Sequence, residues 1–167
     1  MAPATNRPGL PDLGPNGEGW VVGQFVLLGL IVVLTLPGIP GLLPQDAVGW
    51  LPVVAGGTAL LVGGRTLVQG FRDLGPSLTP MPRPRTDAAL VDSGIYATLR
   101  HPIYAGMILA GLGWSTLARS LPALLVAAIL AIYLDLKSRR EEAWLAERYP
   151  GYAAYQGRTR RFVPGLY

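Results

Sequence analysis

Two short stretches hold the side chains of this sequence that could do chemistry. In GIYATLRHPIYAG, residues 94–106, the single histidine of the chain, His101, stands between Arg100 and Pro102, with Tyr96 and Tyr104 on either side. In LKSRREEAWLAERYPGYAAY, residues 136–155, basic and acidic residues crowd together before a Pro–Gly break. Proline pushes the residue before it out of helical geometry and suits the first helical turn, so a helix is predicted to begin at Pro102, with Arg100 and His101 just ahead of it. The free N–H groups and dipole of that helix end, together with the Arg100 charge, would receive a carboxylate or a phosphate. The same residues also suit a plainer role, as interfacial anchors within a belt of tyrosines. In the second stretch Arg139 and Glu142 are three apart on one helix face, and Asp135 and Arg139 are four apart with the acid first. That pattern serves either a functional face or a solvated helix laced with weak ion pairs.

The elements that must position these residues are oily. Half of the 167 residues are hydrophobic and only 14% are charged, where a soluble domain carries about 25% charged residues. The sequence predicts an all-α integral membrane protein with about four transmembrane helices, near 20–36, 49–71, 102–118 and 121–148, the last running on as a helical extension. Residues 1–19, rich in Pro, Gly and Asn, read as a flexible tail. Gly49, Gly56, Gly63 and Gly70 recur every seven residues, a smooth seam along which another backbone can approach closely, within one chain or between two. Arg65, in the last two turns of that helix, can reach headgroups with its long stem.

Several function classes are excluded. With no cysteine and one histidine there is no disulfide framework, no thiolate nucleophile and no Cys/His metal set. The net charge of +4 does not point to nucleic acid, because the basic residues cluster beside the apolar runs. Arg72, Arg83, Arg85 and Arg100 form one cluster, and seven more from Lys137 to Arg161 form another. Four crossings put both clusters on the face of the two termini, with Asp46 and Arg119 opposite. The positive-inside rule makes that shared face cytoplasmic, at the cell's inner membrane. The bilayer is the expected partner, and oligomeric state is open.

The order Gly-x-Tyr-x-x-x-Arg-His-Pro-x-Tyr-x-Gly (Gly94, Tyr96, Arg100, His101, Pro102, Tyr104, Gly106) is followed by Arg139, Glu141, Glu142 and Leu145, then Tyr152, Tyr155, Arg160 and Pro164. This pattern resembles the isoprenylcysteine carboxyl methyltransferase family, which is related to the phospholipid N-methyltransferases. The similarity covers roughly residues 50–165. It implies an integral membrane methyltransferase that uses S-adenosylmethionine without a Rossmann-like domain, and no Gly-x-Gly-x-x-Gly follows a predicted strand here. It also implies that Arg100, His101, Pro102, Tyr104 and Gly106 belong to the cofactor site, where Tyr96 is a further candidate to pack on the adenine. Arg139 and Glu142 would then line the place where substrate meets cofactor. The implied acceptor is lipophilic, such as the carboxylate of a prenylcysteine-like molecule. A phospholipid amine, a small thiol, or a non-catalytic scaffold are the alternatives.

Overall fold

Residues 10–41, 46, 48–84 and 88–165 are described in the computed structural model, so residues 1–9 of the expected tail and Arg85 lie outside the described residues. The architecture is all-helical: α1 (Glu18–Thr35), α2 (Trp50–Leu74), α3 (Pro102–Leu117), α4 (Leu121–Arg148) and the short α5 (Tyr152–Arg158). Short 3-10 turns follow α1 and α2, and another covers Gly94–Ala97. Helices alone satisfy every backbone group within a segment, which is what a chain crossing hydrocarbon requires. The spans Glu18–Ile39, Trp50–Ser77 and Leu121–Arg148 are long and apolar enough to cross a membrane, and α3 is a shorter apolar helix. Their outward faces carry Val22, Phe25, Val33, Leu51, Val54, Leu61, Leu125 and Ile132, all exposed. Such a surface suits lipid and would be a liability in water. The protein is an all-α integral membrane protein.

The glycine seam joins α2 to α3 within the chain. A Cβ at Gly63 would lie 2.7 Å from the Ala110 nitrogen and 2.9 Å from the Gly106 oxygen. At Gly113 it would meet the Leu60 nitrogen at 2.6 Å. The two backbones are therefore in contact, and any side chain at these positions would force them apart. On the other side of α3, Ile31 of α1 packs with Ala127, Leu130 and Leu134 of α4.

Only Arg119 and Ser120 turn the chain between α3 and α4 beyond the Ala118 cap, as the sequence predicts. Arg119 adopts a left-handed backbone, with φ of 50°. Ser120 caps α4 by accepting from the Ala123 nitrogen and donates its hydroxyl to the Leu34 oxygen. Arg119 donates to the Gly49 oxygen at 2.8 Å, and Asp46 accepts from the Gly49 nitrogen, so these residues share one end of the bundle. At the other end, Tyr133 of α4 donates to the Gly19 and Trp20 oxygens of α1, and Pro102 meets Gly70 of α2. Arg72, Arg83 and Arg100 of the first basic cluster, the whole of the second, and the described residues nearest each terminus lie at this second end.

Residues 10–17 are held in place: Trp20 donates to the Pro11 oxygen, Arg83 donates to the Pro15 oxygen, Asp12 pairs with Arg140, and Gly17 fits against Pro82 and Trp144. Low hydrophobicity gave no hint of this, because the anchoring uses backbone carbonyls and one carboxylate.

Lengths explain where the site can form. At 1.5 Å per residue α3 is about 24 Å long, whereas α2 is about 37 Å and α4 about 42 Å. The start of α3 is level with Gly70 and with Glu141–Glu142, and both neighbouring helices continue past it. The Arg100–His101 motif is thus sunk between longer helices.

Candidate functional site

The motif begins at a turn that only glycine suits. Gly94 has φ of +60°, and a Cβ there would sit 2.3 Å from the Asp73 carboxylate, which accepts from the Ile95 nitrogen at 2.7 Å. The turn aims Tyr96 inward, where its hydroxyl donates to the Gly70 oxygen. The following residues, 98–101, are laced to the C-terminal segment by backbone hydrogen bonds. Arg160 N donates to the Thr98 oxygen, Arg100 N to the Arg160 oxygen at 2.7 Å, and His101 N to the Arg161 oxygen. Tyr155 of α5 donates to the Tyr96 oxygen at 2.9 Å. This brace, rather than a side-chain cap, fixes the entry to α3.

Glu142 is the hub. Its Oε1 accepts from Arg100 Nε at 2.8 Å, His101 Nε2 at 3.2 Å and Arg161 Nε at 3.2 Å. Its Oε2 accepts from Arg161 Nη2 at 2.8 Å and Gln156 Nε2 at 3.0 Å. A nearly buried carboxylate is tolerable here because two guanidinium groups and a histidine surround it. Five donors leave it no capacity to take a proton from a substrate. Glu141, one residue earlier, accepts from the Tyr104 hydroxyl at 2.8 Å and lies 3.8 Å from His101 Nδ1. The rings of His101 and Tyr104 stack with an interplanar angle of 4°.

Two hollows meet at this cluster. One, of about 300 Å³, is lined by Val21, Gln24, Phe25 and Leu28 of α1, Phe71 of α2, Met107 of α3 and Lys137 of α4. Its rim reaches the outer surface, since Phe25, Phe71 and Leu78 are exposed. The other, of about 80 Å³, is bordered by residues of 77–84 and 88–91 and by Tyr149, Tyr152 and Tyr155. Thr79, Tyr96, Arg100, His101 and Glu141 border both. Burial raises the phenols of Tyr96 and Tyr152 well above the usual tyrosine range and pushes Tyr155 up to about 12. All three stay protonated at neutral pH and serve as donors or surfaces, not bases.

The structure sorts the sequence-predicted residues. Tyr96, Arg100, His101 and Tyr104 come together at the hollows. Glu142 stands directly behind them. Pro102 and Gly106 do not border either hollow; both are buried in the α2–α3 seam, where a Cβ on Gly106 would lie 2.7 Å from the Gly63 oxygen. Arg139 is also outside: half-exposed, it donates to Asp135 at 2.8 Å. Three residues along a helix is a rotation of about 300°, so Arg139 and Glu142 point about 60° apart. That is enough to send one inward and the other out. Arg161 takes the position beside Glu142 that spacing had suggested for Arg139. Arg139→Ala is therefore expected to keep turnover within about fivefold of the parent, since exposed pairs contribute at most about 1 kcal/mol. Initial rates at saturating substrate check this.

Lys137 and Gln24 border the larger hollow without having been site candidates from sequence, and Tyr152, part of the sequence pattern but given no role there, borders the smaller. Lys137 looked like one more positive charge of an interfacial cluster. The Tyr152 hydroxyl is buried and has no hydrogen-bond partner among the described residues.

Over 83 residues the chain is 36% identical to the cobalt-zinc-cadmium resistance protein CzcN of Cupriavidus metallidurans. The match covers 49% of this chain and 38% of that protein, so the chain spans well under half of that relative's length. Among the described residues no three His, Cys, Asp or Glu side chains are grouped to hold a metal ion. The phospholipid methyltransferase family matches residues 51–151, which contain α2, α3, α4 and every residue of the motif around His101. More than half of the chain lies in that match, and the protein belongs to the phospholipid methyltransferase family of membrane methyltransferases.

Proposed function

We propose that this protein transfers a methyl group from S-adenosylmethionine to a lipophilic acceptor at the cytoplasmic boundary of the membrane, the acceptor being a carboxylate as in a prenylcysteine-like molecule. The observation that carries this reading is the shared wall. Polar residues, Arg100, His101 and Glu141, stand between a loop-covered hollow and a hydrocarbon-lined one that reaches the lipid-facing surface. The positive-inside rule supports the orientation, because Arg72, Arg83, Arg100 and the arginines after residue 138 share one end.

The residues present fit the methyl donor. Arg100 spends Nε on Glu142 and Nη1 on the Gln156 and Thr159 oxygens, and its Nη2 has no partner among the described residues. That nitrogen and the first-turn amides of α3 suit the donor's carboxylate. The orphaned Tyr152 hydroxyl suits a base or ribose, Tyr96 and Tyr104 offer aromatic faces, and Glu141 suits the positive sulfur. When bound, S-adenosylmethionine supplies a methyl group on a sulfonium, which an anionic acceptor takes without giving up a proton. The protein's part is to align the two, exclude water and hold the charges. Glu142 is a positioning residue in this account: through Arg100 and His101 it sets the shape of the wall.

His101→Ala is expected to weaken S-adenosylhomocysteine binding by roughly tenfold, the worth of one hydrogen-bonding, stacked side chain. Calorimetry on the detergent-solubilised protein measures it, and an unchanged affinity would return His101 to an anchoring role. A second reading, methylation of a lipid amine, has the family description and Glu141 in its favour. An amine must lose a proton, and Glu141 is the carboxylate on the wall that is not saturated by guanidinium groups. In that case activity falls steeply at low pH.

A further inference from the structure

The larger hollow contains a cation with no ion-pair partner among the described residues, although the Glu141 carboxylate borders the same hollow. Lys137 is buried, with 1% of its surface exposed, and it borders the hollow directly after the apolar run that ends at Leu136. Its Nζ donates to Gln24 Oε1 at 2.6 Å and lies 5.0 Å from the centre of the Tyr104 ring. Both are contacts that a positive charge gains most from: a short donated hydrogen bond and an aromatic face. Gln24 is itself fixed, its amide lying 3.4 Å from Met107 Sδ.

No carboxylate lies within ion-pair distance of Lys137 among the described residues. Glu141, one turn along α4, is turned toward the Tyr104 hydroxyl and His101. An ammonium has three N–H donors, and Gln24 takes one. A buried charge in a site walled by Val21, Phe25, Leu28, Ile103 and Met107 is costly unless an opposite charge joins it. The same wall is what a hydrocarbon chain would contact, and the open rim at Phe25 and Phe71 faces lipid.

We propose that Lys137 and Gln24 form an anion subsite that selects acceptors with a carboxylate or phosphate at the head of a hydrocarbon chain. The proposal deepens the methyltransferase reading and rests on it for the word acceptor. It gives Lys137 the place beside the acceptor that the resemblance implied for Arg139, and it makes the hollow discriminate between anionic and neutral amphiphiles.

Photolabelling tests this without knowledge of the native acceptor. Three diazirine probes of equal chain length are used on the purified protein in detergent: hexadecanoate, hexadecyl phosphate and hexadecanol. The expected result is that at least one of the two anions labels Phe25, Leu28 or Met107 roughly tenfold more than the alcohol, as one charged hydrogen-bond pair allows. Comparison of the two anions identifies which head group is held. Lys137→Met should erase the preference and Lys137→Arg should retain part of it. Gln24→Leu, which leaves the cation in place, should reduce it and covers the case in which the lysine variants fail to fold. Equal labelling by all three probes, or a preference that survives Lys137→Met, overturns the subsite. S-adenosylhomocysteine calorimetry separates the two claims. Its failure in the parent protein removes the methyltransferase reading while the anion preference stands, whereas loss of binding only in Lys137→Met shows that the anion held is the cofactor's own and overturns the acceptor assignment.

Discussion

Glu142→Ala is expected to destabilise the protein by about 3–5 kcal/mol and to abolish methyl transfer, the range seen when one member of a buried ion pair is removed. The reason is the number of groups that converge on one carboxylate. Without it, the Arg100 guanidinium loses its carboxylate, Arg161 keeps only the Asp135 carboxylate at 3.1 Å, and His101 and Gln156 lose their acceptor. Arg161 belongs to the segment whose backbone pairs with residues 98–101, so the brace over the α3 entry should loosen with it. Glu142→Gln keeps the shape and one acceptor oxygen but not the charge, and its loss should be intermediate. Thermal unfolding in detergent, read beside limited proteolysis after residue 150, measures both. A Glu142→Ala protein that melts like its parent and keeps its C-terminal segment protected would contradict the hub.

A methyl group added at Gly106 is expected to be nearly as damaging, although it creates no charge. Its Cβ would stand 2.7 Å from the Gly63 oxygen and 2.8 Å from the Leu67 nitrogen, and neither backbone atom can turn away as a side chain could. Overpacking of this kind costs about 1–3 kcal/mol, and here it pries α3 from α2 one turn from His101. Gly57→Ala is the internal control, because nothing lies within 4 Å of a Cβ there. On that open face of α2 alanine should be neutral or favourable by about 0.5–1 kcal/mol. The pair separates packing from helix propensity, and thermal unfolding of both variants decides. If Gly106→Ala is as stable as Gly57→Ala and loses only cofactor affinity, Gly106 belongs to the site and not to the seam.

Much of the fold is written in simple physical signals. Apolar runs that reach membrane length, a proline at the first turn of α3 and a two-residue connection after Ala118 each dictate local geometry. The glycine period told that a close backbone approach would occur, though not that α3 would be the partner. The meeting of Arg100 with Glu142 follows from two helices that leave the membrane at the same end. What sequence does not reveal is whatever depends on non-periodic contacts. The pairing of residues 98–101 with 160–161 is a single bridge with no alternating pattern to announce it. Arg139 and Arg161 are both arginines near Glu142 in a loose sense, and only the helix rotation and the path beyond α5 decide which one reaches it. Lys137 is indistinguishable in a charge count from its solvated neighbours, and its burial emerges only when Gln24 and Tyr104 close around it.

The most direct measurement is transfer of a labelled methyl group. Purified protein in lipid vesicles is incubated with methyl-tritiated S-adenosylmethionine and an extract of bacterial membranes, and the organic phase is counted. The account predicts label in a lipid product that mild base releases as methanol, the behaviour of an ester. It also predicts that Glu142→Ala and His101→Ala lower the rate while Arg139→Ala does not. Folded protein that binds S-adenosylhomocysteine yet moves no label into any lipid, or that does not bind it at all, would contradict it.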